Sequence, residues 1–184
     1  MQVATRHFNV AEYYQMARAG VLTEDERVEL IRGEIVAMSP IGSRHAAWVN
    51  GFHLCLSQWA ERRFVVSGQN PIHLDDHSEP QPDIAVLKPR GDFYVDAHPT
   101  PEDVLLLIEV ADTSLGYDRE EKAPLYASAG IPEMWLVNLP EGVIEVYANP
   151  VDGVYSSVRQ VARGGVLTSA SLPGLSIRVE DILG

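Results

Sequence analysis

Two carboxylates and a lysine have settings that packing alone does not explain. Asp83 follows Pro82 and opens the apolar run Ile84 to Leu87. Glu109 stands near the end of Val104 to Val110, a stretch otherwise wholly apolar. A lone carboxylate there is costly to desolvate unless a cation or hydrogen-bond donors compensate it. Two acidic groups at the ends of adjacent strands can converge on one Mg²⁺, which takes few carboxylates and completes its shell with water and phosphate oxygens. Such an ion polarises a phosphoryl oxygen and generates a hydroxide-like nucleophile. A nearby lysine would position the water or stabilise developing negative charge.

The chain has only two lysines, Lys88 and Lys122. Strand parity places Asp83, Ala85 and Leu87 on one face and Lys88 on the other. Lys122 follows the Glu109 strand on a helix-like segment and can reach back to the strand's end, so Lys122 is the candidate. Plainer alternatives stand beside these. Each carboxylate could be a strand-end residue binding backbone donors or facing solvent. Lys122 could be the surface partner of Asp118 at helical spacing, a pair worth roughly a few tenths of a kcal/mol.

The elements that must position these groups follow from periodicity and breakers. Residues 9–18 read as a short amphipathic helix. Residues 27–31 and 34–38 read as two strands joined at Arg32-Gly33. After the break at Ser39-Pro40-Ile41-Gly42, Ser43 is placed to cap a long helix to about Arg62. Trp48, Phe52, Leu56 and Trp59 would form its apolar face. Phe64 to Val66 starts a strand, and a polar loop runs through His77 and Glu79. Ile84 to Leu87 is a short strand, and Val104 to Val110 reads as a strand covered on both faces. Asp118 to Ala129 is helix-like, interrupted by Pro124 and ended by Gly130. Met134 to Val137 and Val143 to Tyr147 form a hairpin. Weaker strands are expected near residues 154–161 and 175–179. This order predicts an α/β (α+β) chain: a mixed sheet with helices packed against it.

Composition sets the frame. The chain has 184 residues, 46% hydrophobic and 22% charged, enough for one domain, residues 1–184, with a real core. The first twenty residues lack a signal peptide's apolar centre, no run is long enough to cross a bilayer, and Cys55 is the only cysteine. The expectation is a cytoplasmic protein. A net charge of −12 argues against simple electrostatic binding of nucleic acid. Its distribution is uneven: residues 79–122 carry eleven carboxylates against four basic residues, whereas residues 27–63 carry five arginines against three glutamates. The middle would attract a divalent cation, and the arginine-bearing part is the better phosphate-facing surface. A solvated acidic face is the plainer account of the middle.

The motifs then become specific. Gln81-Pro82-Asp83-Ile84-Ala85-Val86, Ile108-Glu109-Val110, Asp118-Arg119 with Lys122 and Tyr126-Ala127, and Gly130-Ile131-Pro132-Glu133-Met134-Trp135-Leu136-Val137 together resemble the bacterial Uma-two family of restriction endonucleases within the PD-(D/E)xK nuclease superfamily. Glu29-Leu30-Ile31-Arg32-Gly33-Glu34, His45 and Leu172-Pro173-Gly174-Leu175 are also similar to it. The resemblance implies a restriction-endonuclease-like fold with added β-hairpins, a homodimer, and Asp83 and Glu109 as ligands of Mg²⁺, with Mn²⁺ as a substitute; it supplies no substrate, and DNA is the substrate expected for a phosphodiesterase of this kind. It also departs from the superfamily pattern: Ala111 stands where the parent motif has lysine, as in nucleases whose lysine has migrated to the following helix, here Lys122.

The resemblance favours Glu34 as a third carboxylate, against a solvated strand glutamate. His45 is a candidate for contacting phosphate or water, against a helix-end polar residue. His73-Leu74-Asp75-Asp76-His77 holds metal-capable side chains without a zinc spacing and reads more simply as a polar loop. The function expected is a metal-dependent endonuclease. The alternatives are a catalytically silent binding or dimerisation module, and a zinc hydrolase using the His73–His77 loop.

Overall fold

The computed structural model describes residues 4–23 and 25–183. Helix α1 (Val10–Arg18) is closed at its start by a capping box between Asn9 and Glu12. Strands β1 (Val28–Ile31) and β2 (Glu34–Ala37) form an antiparallel hairpin. Its turn needs two consecutive left-handed residues, and Arg32 and Gly33 supply them at φ 49° and 81°. Helix α2 (Ser43–Ala60) follows. Gly42 is its N-cap and no side chain caps it, so Ser43 is the first helical residue and not the cap expected. The helix stops at Ala60 because Glu61 and Arg62 turn left-handed.

The main sheet has six strands in the order β3-β4-β5-β6-β7-β8. They are β3 (Val65–Gly68), β4 (Ile84–Leu87), β5 (Val104–Ala111), β6 (Glu133–Asn138), β7 (Val143–Val151) and β8 (Val154–Ala162). Only β5 and β6 run parallel. Parallel neighbours need a crossover. It is supplied by α3 (Leu115–Tyr117), a wide π turn over Asp118–Lys122, and α4 (Ala123–Ser128). The helical segment therefore begins before Asp118, and Pro124 is the second residue of α4, directly after the π turn. Strand β8 is a full nine residues, not a weak strand, and a short pair, β9 (Val166–Thr168) with β10 (Ser176–Arg178), was not wholly anticipated. Helix α5 (Val179–Leu183) ends the described chain.

Both faces of the sheet are covered. On one, Phe52 and Leu56 of α2 pack on Ile84, Val86, Ile108 and Trp135. On the other, Ala123 and Tyr126 pack on Ala85, Leu107 and Leu136. This explains the continuous apolar character of β5. Alternation then puts Glu109 on the face of Leu107 and Ala111, beneath the crossover helix. Asp83, one residue before β4, shares parity with Ala85 and Leu87 and enters from the same side. Among the described residues, no helix is long and apolar enough to cross a membrane.

Helices α2 and α5 touch closely at Gly51. A Cβ placed there would lie 1.9 Å from the carbonyl oxygen of Ile182, a backbone atom that cannot rotate away. Gly51→Ala is expected to cost about 2 kcal/mol and to lower Tm by roughly 4–8 °C in thermal unfolding. An unchanged Tm would show that the two helices are not so close.

Candidate active site

The site is built where β4, β5 and the crossover meet. Glu109 Oε1 accepts from Lys122 Nζ at 3.2 Å and from Tyr126 Oη at 2.7 Å. Glu109 Oε2 accepts from the backbone N–H of Asp83 at 3.4 Å. In return, Asp83 Oδ2 accepts from the N–H of Val110 at 2.9 Å. These reciprocal bonds tie the two carboxylates to each other's strand. Asp83 Oδ2 also lies 3.0 Å from His45 Nε2, and Oδ1 accepts from Gln69 Nε2 at 3.3 Å. Lys122 is clamped on its other side by Glu29 Oε1 at 3.1 Å. Glu29 is fixed in turn by the N–H of Gln81, 3.0 Å from Oε2.

The position of Lys122 depends on the π turn, which closes by an N–H bond from Ala123 to the carbonyl of Asp118, one residue wider than an α-turn. Lys122 is only 5% exposed and Asp118 only 4%. Asp118 bonds the Ser114 hydroxyl at 2.7 Å and, among the described residues, makes no ion pair with Lys122. The surface-pair alternative is therefore corrected: the wide turn rolls both side chains inward.

Four buried carboxylates, Glu29, Asp83, Glu109 and Asp118, share one neighbourhood with one lysine and His45. Burial pushes the Glu109 carboxyl up to about 8, and the charges of Asp118, Asp83 and Glu29 push the same way against Lys122. Burial likewise raises Asp118. Burial also opposes the charge on Lys122, but the flanking carboxylates outweigh it and hold the ammonium well above its usual range. The proton gained on acidification therefore goes to Glu109, and Lys122 stays charged. The hydrogen bond to Asp83 raises His45.

This donor set fits a hard divalent cation. Four carboxylates exceed what Lys122 and His45 compensate, the donors are carboxylate oxygens, and His45 Nδ1 is buried without a hydrogen-bond partner. Among the described residues, no group of three or more His, Cys, Asp or Glu side chains is gathered closely enough to enclose an ion. Asp83 and Glu109 would therefore hold it with water and phosphate oxygens completing the shell.

The structure brings Asp83, Glu109, Lys122 and His45 together. It leaves Glu34 exposed at the first position of β2, and the hairpin carboxylate at the lysine is Glu29. His73 bonds Glu79 and His77 bonds the carbonyl of Phe8, so the two histidines turn to different partners. Glu29, Tyr126 and Gln69 were not singled out by sequence. The signal for Glu29 was its place between Val28 and Leu30 in a short apolar strand, where a glutamate needs a partner.

A protein-family model described as "putative restriction endonuclease", Uma2, matches residues 10–180. The chain belongs to the Uma2 family. That match spans every site residue named above. A solved structure described as a "putative nuclease belonging to DUF820" from Anabaena variabilis has the same fold as this Uma2 chain, with a TM-score of 0.74 over 96% of this chain and 97% of that one at 15% identity. No curated protein matches it.

The charge balance has a consequence for stability. With Glu109 raised from 4.5 to about 8, the folded chain holds a proton that the unfolded chain has released at pH values between these limits. Stability from this group is present below pH 4.5 and is lost as pH rises through 8. In metal-free buffer, Glu109→Gln should gain Tm over the wild type as pH rises from 5 to 8, with the gap levelling above that. Tm curves that run parallel across this window would contradict the assignment.

Proposed function

We propose that this Uma2 protein is a divalent-cation-dependent nuclease that hydrolyses phosphodiester bonds in DNA. The observation that carries the reading is the knot of reciprocal hydrogen bonds between Asp83 and Glu109, with the Lys122 ammonium on the same Glu109 oxygen as Tyr126. Asp83 and Glu109 would hold Mg²⁺, or Mn²⁺ in its place. Such an ion supplies Lewis acidity at the phosphoryl oxygen and a lowered pKa for water.

The remaining work falls to the chain. Tyr126 and the N–H of Asp83 fix both oxygens of Glu109, so its carboxylate needs no reorganisation when substrate arrives. Glu29 holds Lys122 on the opposite side, which keeps the ammonium charged and in place. There it stabilises the negative charge that develops on the phosphate oxygens. Asp83 orients His45 through Nε2 and so fixes the imidazole beside the paired carboxylates.

A nuclease assay on single- and double-stranded DNA and RNA with Mg²⁺ or Mn²⁺ tests this reading. Cleavage of DNA is expected, falling to background in Asp83→Ala. Lys122→Ala should lose about 10²–10³-fold in kcat, and Lys122→Arg should not restore it, because guanidinium keeps the charge without the compact geometry. Removing Lys122 also unbalances the buried carboxylates, at about 3–5 kcal/mol, so rates must be compared on protein verified as folded. Equal cleavage by wild type and Asp83→Ala would end this reading. Absence of cleavage with every substrate and ion would favour a silent binding module.

A further inference from the structure

Strand β3 is an edge of the main sheet, and its two ends lie beside different chemistry. Gly68 pairs with Ile84, and the next residue, Gln69, donates to Asp83. Val65, at the other end, pairs with Leu87. Four strand residues separate these ends by about 10 Å. Beside Val65, the end of α2 and the segment after β4 enclose an open groove of about 730 Å³ lined by Arg62, Phe64, Val66, Arg90 and Phe93.

Both charged side chains that line the groove are cationic in a chain of net charge −12, with Glu61 and Asp92 beside them in sequence. Arg62 and Arg90 line it, and Arg63 and Lys88 are their near neighbours in sequence. Among the described residues, Arg62, Arg63 and Lys88 make no ion pair, while Arg90 is bonded to Asp92 at 2.6 Å. Aromatic rings alternate with these cations. Trp59 stacks on Phe64 at 5.3 Å, with Arg63 over both, and Arg90 lies 4.2 Å from the Tyr94 ring centre.

Phe93 differs from the other rings because it is 71% exposed. Phe93 and Tyr94 are both held at positive φ, 51° and 64°, which bulky residues disfavour. The loop is nonetheless firmly built. Asp92 takes both Arg90 and the N–H of Tyr94, and Tyr94 Oη donates to the carbonyl of Lys88 at 2.9 Å. With this backbone, the Phe93 phenyl ring stands in water. Such outliers point to function.

We propose that this groove grips unpaired nucleotides flanking the phosphodiester at Asp83 and Glu109. The inference rests on the nuclease reading and adds its substrate class, a strand that is single-stranded next to the cut. The arginines meet phosphates, and Phe93 stacks on a base. A duplex keeps its bases stacked on one another and offers only phosphates, whereas a single strand offers both partners.

Fluorescence anisotropy with a short labelled DNA strand, and with the duplex of the same sequence, tests this in EDTA so that nothing is cleaved. The wild type should bind the single strand more tightly. Phe93→Ala should weaken that binding about ten-fold, and Arg62→Glu should flatten the salt dependence by about 0.7 in log–log slope for each phosphate that the groove then leaves unneutralised. Both side chains are exposed, so Tm should not move. Unchanged single-strand binding in both variants, a preference for duplex, or no binding by the wild type would overturn the proposal. Cleavage by the same preparations with Mn²⁺, against Asp83→Asn, reports the nuclease reading separately. Cleavage with indifferent variants removes the groove alone, and groove-dependent binding without cleavage removes the nuclease reading alone.

Discussion

A lysine ammonium can be buried only if negative charge is buried with it. Lys122 sits between Glu29 and Glu109, and much of the local architecture follows from that requirement. Three separate parts of the chain must arrive together: the first hairpin with Glu29, the central strand with Glu109, and the crossover with the lysine. The π turn is the adjustment that makes this possible, since its extra residue carries Lys122 from the surface to the sheet. Tyr126, one turn further along, reaches the same Glu109 oxygen.

The counter-charge is more than one lysine needs. Glu29 and Glu109 take Lys122, and Asp83 and Asp118 add two further buried carboxylates. The fold contains part of this excess with donors, giving the N–H of Val110 and the Gln69 amide to Asp83 and the Ser114 hydroxyl to Asp118. Burial, together with what remains of this excess, makes Glu109 hold its proton more tightly than an ordinary carboxyl. The same imbalance that costs stability without a cation would favour binding one, because a divalent ion and a proton compete for the same carboxylate. Stability and the proposed function are in this sense opposed at one residue.

Much of this was legible in the sequence because its signals are local. Asp83 after a proline, Glu109 inside an apolar strand and Lys122 on the next helix were placed by parity and spacing, and strand β4 was expected at its observed bounds. Glu29 was not, because its burial depends on Glu79 donating to the carbonyl of Leu30 almost fifty residues away, which closes the outer side of β1. The family resemblance pointed instead to Glu34 in the same hairpin, which the structure leaves exposed. The π turn was equally hidden: Asp118 and Lys122 four apart look like a solvated helix pair until the widened turn rotates them inward. Ser43 looked like a cap, but the chain turns into the helix one residue earlier, at Gly42.

The central claim is that Asp83 and Glu109 together hold one divalent ion beside Lys122. The most direct measurement is anomalous diffraction from a crystal grown with Mn²⁺. The account predicts one strong peak within bonding distance of a carboxylate oxygen of each residue, with Lys122 Nζ still on Glu29. A peak at the His73–His77 loop or elsewhere, with none between Asp83 and Glu109, would contradict it.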